Sequence, residues 1–425
     1  MADTPESAAR LSPRGSAPMV GADIVRIAAC FSVISIHFLL NIGFYNSPIA
    51  GDNTNVDHTN MYIMLAMRML FSVCVPLFII LTGYLMVNRK LSASHYGKGM
   101  KVVWIYLLAS IACIIFKIYL QNPAVEDPKA WENNLKDILV FRAAPYSWYI
   151  EMYFGLYLLI PFFNILYRGI PSRRWKIVLI ISLLALNTLP KLINSFNFTE
   201  PGWWSDPTIS DQYQRLVPRW WYYNTYPVTY YFIGAYLREY GLKLNGILHR
   251  VLIVATLGLS TLFELWRSGK GKFNWGVGSD WDFLLTVILS VLIFSLIVQK
   301  PYRHMPKALA KVIHYISGLT LSMFMVSYIF DTLFYKILNK EIPSMPDRLT
   351  AYFIIVPAVF VASGALSAVI DLIYRLASLI CTDIKQRLKL LRKPHGDDAP
   401  AHEEAGHAET QAKHFEKEAR HLEEN

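Results

Sequence analysis

Apolar residues fill most of the chain between positions 23 and 376, in runs separated by short polar or basic segments. A helix needs roughly 20 apolar residues to cross a bilayer. On that criterion ten spans are predicted, near 23–45, 61–87, 102–120, 146–167, 175–193, 227–240, 249–266, 281–299, 314–336 and 349–376, the sixth short and the last long. The predicted fold class is all-α: a polytopic integral membrane protein of about ten transmembrane helices. Residues 1–22 are rich in Ala, Ser and Pro and lack an apolar h-region, which predicts a disordered tail before an uncleaved first helix. The membrane domain is expected over 23–380, and 381–425 should form a tail that is first basic, then acidic with scattered histidines. No internal repeat is visible.

The basic residues set a topology. Alternate loops carry Arg89, Lys90, Lys98 and Lys101, then Arg168, Arg173, Arg174 and Lys176, then Arg238, Lys243 and Arg250, then Lys300, Arg303, Lys307 and Lys311. The loop SPIAGDNTNVDHTN has no Lys or Arg at all. Cytoplasmic loops hold the positive charge, so both termini are predicted to be cytoplasmic.

Composition agrees with a membrane protein. Hydrophobic residues make up 54% of the 425 positions, only 17% are charged and mean hydropathy is +0.31, against about 25% charged residues in a soluble domain. A net charge of +10 would suggest nucleic acid in a soluble protein; here the cations lie between apolar runs and read as topology signals and membrane-lipid contacts, with no nucleic-acid partner. Cys30, Cys74 and Cys113 lie inside apolar runs and Cys381 ends one, so all four are expected to be small core residues. The Trp- and Tyr-rich stretch over 194–226 reads either as an interfacial belt or as a sugar-stacking surface. His407, His414 and His421 are seven apart, yet among so many Glu they read as part of a solvated tail, and no metal site is expected.

Ionisable groups inside a bilayer cost several kcal/mol, so those retained are candidates for function. The first span reads Asp23-Ile-Val-Arg26 and reaches His37 eleven residues after the arginine. Asp23 and Arg26 can pair at i,i+3. Eleven residues are nearly three turns, so Arg26 and His37 share one face about 16 Å apart along the axis. Taken singly, Arg26 reads as a snorkelling cation and His37 as a helix–helix hydrogen bonder. Together they suit an anionic phosphate and the removal of a proton from a hydroxyl. Arg68 precedes Val75-Pro76-Leu77-Phe78, where the proline should bend the second span. Glu151, Glu264 and Asp331 are further interior acids, each of which alone reads as one half of a structural pair.

The Asp-x-x-Arg-x10-His stripe, Val75-Pro-Leu-Phe with Thr82-Gly-Tyr-Leu, the stretch from Trp148 to Phe162 (WYIEMYFGLYLLIPF) and Tyr231-Phe-Ile-Gly234 together resemble acyltransferase family 3, over about residues 22–375. The resemblance implies a polytopic O-acyltransferase of bacterial surface sugars in the cytoplasmic (inner) membrane. It places the family's essential arginine and histidine on Arg26 and His37 and its buried arginine on Arg68. It further implies substrate-binding roles for Asp23, Arg68, Lys98, Lys101, Trp148 and Glu151. The chain departs from the family pattern at two points. The arginine cluster that usually opens the third span is reduced to Lys98 and Lys101, and Ser327 in Phe324-Met-Val-Ser327 stands where a second histidine is expected.

The function implied is transfer of an acyl group, by the family's habit acetyl from acetyl-CoA, to a sugar hydroxyl of a surface polysaccharide or lipid-linked precursor. Acyl-CoA is then a donor substrate, and no permanently bound cofactor is expected. His37 either acts as general base or carries the acyl group transiently. The rival reading is a proton-coupled transporter or polysaccharide exporter, with Arg26, His37, Arg68 and Glu151 lining its path.

Overall fold

The computed structural model describes residues 20–49, 58–121, 130–193, 196, 201–202, 225–269, 271–273, 278 and 280–391. The Trp-rich segment past 202 and the histidine-bearing tail lie outside the described residues. Two compact units are present, one ending at Tyr374 and one beginning at Arg375, and the candidate site lies within the first.

The described residues are helical, with an isolated bridge between Pro48 and Lys272. In chain order the helices are α1 (Val20–Asn41), α2 (His58–Phe71), α3 (Cys74–Met86), α4 (Ala93–Phe116), α5 (Ala130–Leu139), α6 (Trp148–Gly169), α7 (Arg173–Ile193), α8 (Tyr226–Tyr240), α9 (Gly246–Ser268), α10 (Leu284–Gln299), α11 (Lys307–Glu341) and α12 (Tyr352–Leu391). Eight stretches among them are long and apolar enough to cross a membrane, counting α2 with α3 as one. The shorter α8 and α10, of 15 and 16 residues, stand where the sixth and eighth spans were expected. Large apolar side chains point outward along the helices, with Ile181, Val254 and Ile354 exposed by 58%, 70% and 72%. Such a surface would be unstable in water and is satisfied by lipid. The protein is therefore a multi-pass membrane protein.

Three local features differ from the sequence reading. The second span is not one bent helix but two, divided at Ser72 and Val73. Pro76 cannot donate to the carbonyl of Ser72 and its ring crowds that oxygen, so the ladder stops there and restarts with Leu77 N–H donating to Val73 at 2.9 Å. Second, the segment between the third and fourth spans contains α5, which docks on α4 through a hydrogen bond from the Tyr106 hydroxyl to the Ile138 carbonyl. Third, α1 stops at Asn41, short of position 45, because Gly43 takes a left-handed conformation (φ 87°). Of the cysteines, Cys30, Cys74 and Cys113 are buried free thiols, whereas Cys381 is exposed.

Two helix contacts organise the interior. In the first, α1 and α11 run parallel in one register. Asp23 meets His314 and Ser317, the Cys30 thiol lies 3.7 Å from the Thr320 carbonyl, His37 meets Asp331, and Asn339 donates to the Asn41 carbonyl at 2.9 Å. In the second, α3 crosses α8 backbone to backbone. A methyl carbon added at Gly83 would stand 2.0 Å from the Tyr231 carbonyl oxygen, and one at Gly234 would stand 2.0 Å from that of Ile80. The glycines of the Thr-Gly-Tyr-Leu and Tyr-Phe-Ile-Gly motifs thus face each other across one contact, where only hydrogen fits.

Substitution tests this crossing. Gly234→Ala forces the two backbones apart, so its yield of monodisperse protein in detergent should fall several-fold. Gly258→Ala, where no atom lies within 4 Å of the added carbon, should behave as wild type. Equal elution profiles and melting temperatures for both variants would contradict the close crossing.

Candidate active site

The first turns of α1 and the middle of α11 build the site's cationic end. Asp23 is buried and accepts from the Ser317 hydroxyl at 2.7 Å and from His314 Nδ1 at 3.0 Å. Arg26, one turn on, lies 3.5 Å from Asp23 Oδ1 and donates to Ser317 Oγ at 3.3 Å. Ser317 thus accepts from the guanidinium and donates to the carboxylate. The arginine is held at one end only, its side chain 35% exposed, with further N–H groups left for a ligand.

Arg26 opens onto a cavity of about 320 Å³ between α1, α3, α4, α6 and α11. Its wall includes Val33, Tyr149, Tyr153 and Phe324, and a second cation, Arg89, stands on it just past α3. The Arg89 segment is fixed by Asn164, a fully buried residue of α6. Its amide nitrogen donates to the carbonyls of Met86 and Arg89, each at 2.8 Å, while its oxygen accepts from the Tyr231 hydroxyl at 2.6 Å. One side chain therefore caps α3 and ties it to α6 and α8.

His37 lies three turns beyond Arg26. Its Nδ1 stands 3.4 Å from Asp331 Oδ2, an ion-pair distance without good hydrogen-bond alignment, and both side chains are buried. The same carboxylate oxygen accepts from the Tyr146 hydroxyl at 2.9 Å, and the Tyr146 ring lies against the imidazole, 3.7 Å between centroids at 26°. Asp331 Oδ1 has no hydrogen-bond partner among the described residues. Tyr146 and Asp331 thus fix the imidazole plane and face Nδ1 with negative charge. In neutral histidine this favours the proton on Nδ1 and leaves Nε2 as the acceptor. His37 is not on the cavity wall; Phe324 is, and its ring centroid lies 6.4 Å from that of His37.

The remaining candidates are dispersed. Trp148 and Glu151 line a separate hollow of about 540 Å³ between α6 and the start of α8, shared with Tyr226 and Phe163. Trp148 stacks on Trp281 at 4.7 Å and 17°. The loop carrying Trp281 is anchored by Asp280 and Asp282, both paired with Lys191 at 2.5 and 2.6 Å. Burial pushes the Asp282 carboxyl up to about 6, against the opposing pull of Lys191. Lys98 and Lys101 are exposed on α4 and off the cavity, Lys101 lying over the Tyr374 ring at 5.6 Å; the cation beside the cavity is Arg89. Arg68 is buried at the end of α2, its guanidinium 5.8 Å from the centre of the Phe273 ring and away from the cavity. Glu264 pairs with Arg267 at 2.9 Å, both fully buried. No group of three or more His, Cys, Asp or Glu that could hold a metal occurs among the described residues.

Sequence reading did not single out Ser317, Tyr146 or Asn164. Nothing in the chain marks Ser317 or Asn164, since one serine or asparagine in a span is ordinary. Asp331 stood in view as an interior acid, but only the parallel packing of α1 on α11 shows that its partner is His37.

Comparison with protein-family profiles matched residues 19–371 to acyltransferase family 3, described as an acyltransferase domain. No curated protein and no solved structure matched.

Asp331 can be tested as the group that orients His37. Asp331→Asn retains size but removes the charge facing Nδ1, so acyl transfer should fall by about 100-fold, comparable with loss of a general base. Asp331→Glu should recover part of the rate. A wild-type rate in Asp331→Asn would show that the contact is structural.

Proposed function

The chain belongs to acyltransferase family 3, and from that premise we propose that it moves an acyl group from acyl-CoA to a sugar hydroxyl of a surface polysaccharide or its lipid-linked precursor. The observation that carries this reading is the alignment on α1 of a half-exposed guanidinium at a cavity and a histidine backed by a buried carboxylate. Acetyl-CoA is the proposed donor. Its phosphates meet Arg26 and Arg89, two guanidiniums suited to paired anionic oxygens. The pantetheine arm lies in the cavity, with the thioester directed toward His37.

In the chemical step His37 Nε2 takes the proton of the acceptor hydroxyl as its oxygen attacks the thioester carbon. Asp331 stabilises the imidazolium that forms. The new C–O bond forms and the C–S bond breaks. The thiolate leaves as CoA and recovers the proton from Nε2, so the imidazole returns neutral. The Nδ1 contact with Asp331 leaves the Nε2 lone pair available for this step. We assign the acceptor to the hollow beside Trp148 and Glu151: aromatic faces suit a sugar ring, and a carboxylate accepts hydrogen bonds from its hydroxyls. The segment reaching it begins at Tyr146, which lies against His37. Asp23 positions Arg26. Lys98 and Lys101 are left the role of meeting lipid phosphates at the membrane edge. We place the protein in the bacterial cytoplasmic membrane with both termini cytoplasmic, so that donor and cavity meet on that side. Family membership supports this reading over a proton-coupled exporter.

Arg26 and His37 should fail differently. His37→Ala is expected to bind labelled acetyl-CoA normally while transfer falls by about 100-fold or more. Arg26→Ala should chiefly weaken donor binding, and Arg26→Lys should restore only part of it, because a lysine keeps the charge without the planar fork. Binding and single-turnover transfer are measured separately on each folded variant. Wild-type transfer by His37→Ala would remove the catalytic assignment.

A further inference from the structure

We propose that Phe324 sets the length of the acyl group, as the end wall of the cavity that takes the donor. This rests on the acyl-transfer reading and adds to it a residue that selects among donors. The cavity lining carries two cations, Arg26 and Arg89, and the ring pair Tyr149 and Phe324, with Val33 two turns past Arg26 on α1. On α1, Val33 lies one turn short of His37. On α11, Phe324 lies two turns past Ser317, the partner of Arg26, and two turns before Asp331, the partner of His37. Side chains on a helix lean toward its N-terminus, so the Phe324 ring is carried back over the stretch that lines the cavity. The ring is buried, and its centroid lies 5.7 Å from that of Tyr149, 6.2 Å from Tyr146 and 6.4 Å from His37.

A thioester whose carbonyl is within reach of the hydroxyl activated by His37 has its acyl carbons against this ring. Acetyl adds only a methyl group beyond the carbonyl. Each further methylene has to displace an aromatic ring packed on Tyr149, Tyr146 and the imidazole itself, Tyr146 being the ring that lies against that imidazole. Packed interiors resist such insertion, and one methylene more than a pocket accommodates discriminates by about 10- to 200-fold. The aromatic cluster therefore performs two tasks with the same atoms: it orients His37 and closes the site to longer chains.

The test uses the full-length protein in lipid nanodiscs. Acetyl-, butyryl-, hexanoyl- and octanoyl-CoA compete against labelled acetyl-CoA, and release of free CoA is followed with each. In the wild type, competition and turnover should fall steeply beyond the shortest chains. Phe324→Ala should raise the hexanoyl-to-acetyl ratio by about tenfold or more. Phe324→Leu, which keeps apolar bulk should the alanine variant misfold, should raise it in the same direction by less, and Phe324→Trp should lower the butyryl-to-acetyl ratio. The proposal is overturned if the wild type takes hexanoyl-CoA as well as acetyl-CoA, or if the folded leucine and tryptophan variants keep the wild-type ratios while still binding acetyl-CoA. A wild type that binds none of the thioesters fails the acyl-transfer reading itself, a result distinct from unchanged selectivity.

Discussion

The parallel packing of α1 on α11 is the constraint on which the rest of the site depends. Side chains on two parallel helices meet at matched heights, so a stripe on one is read against a stripe on the other. Asp23 and Arg26 meet Ser317, Cys30 meets Thr320, His37 meets Asp331 and the end of α1 meets Asn339. A shift of one residue in this register would turn Asp331 by about 100° away from the imidazole. The register is pinned by polar contacts at both ends, Asp23 with His314 and Ser317 at one and the Asn41 carbonyl with Asn339 at the other.

The interior charges divide by their surroundings. Glu264 and Arg267 pair at full burial, and the Ser268 hydroxyl also donates to the carboxylate, while Nε and Nη2 of the guanidinium find no hydrogen-bond partner among the described residues. Arg26 is tethered on one side and open to a cavity on the other. Asp331 carries an unpartnered oxygen beside a histidine, a costly arrangement in a buried site that stability alone does not explain.

Much of this was legible in the sequence. The apolar runs located the helices, and the spacing of Arg26 and His37 already placed them on one face. The break at Ser72 was half visible: Pro76 predicted a bend, but whether a span bends or divides depends on what packs beside it. The glycines of the two motifs looked like family signatures and turn out to be a contact, because Gly83 and Gly234 lie 151 positions apart in sequence and face to face in space. Lys98 and Lys101 drew attention as the remains of an arginine cluster, whereas Arg89 reaches the cavity because Asn164 caps the end of α3 beside it. Pairings of that kind lie between helices, and no periodicity within one helix encodes them.

The central claim is that one cavity holds an acyl donor with its anionic end at the arginines and its acyl end at Phe324, the lining residue nearest to His37. Cryo-electron microscopy of the protein with a non-hydrolysable thioether analogue of acetyl-CoA tests it most directly. The account predicts phosphate density at Arg26 and Arg89, the pantetheine arm along α11, and the acyl carbon beside Phe324, about 3–3.5 Å from the position of a hydroxyl bonded to His37 Nε2. Ligand density elsewhere with this cavity empty, or a donor bound with its phosphates toward His37, would contradict it.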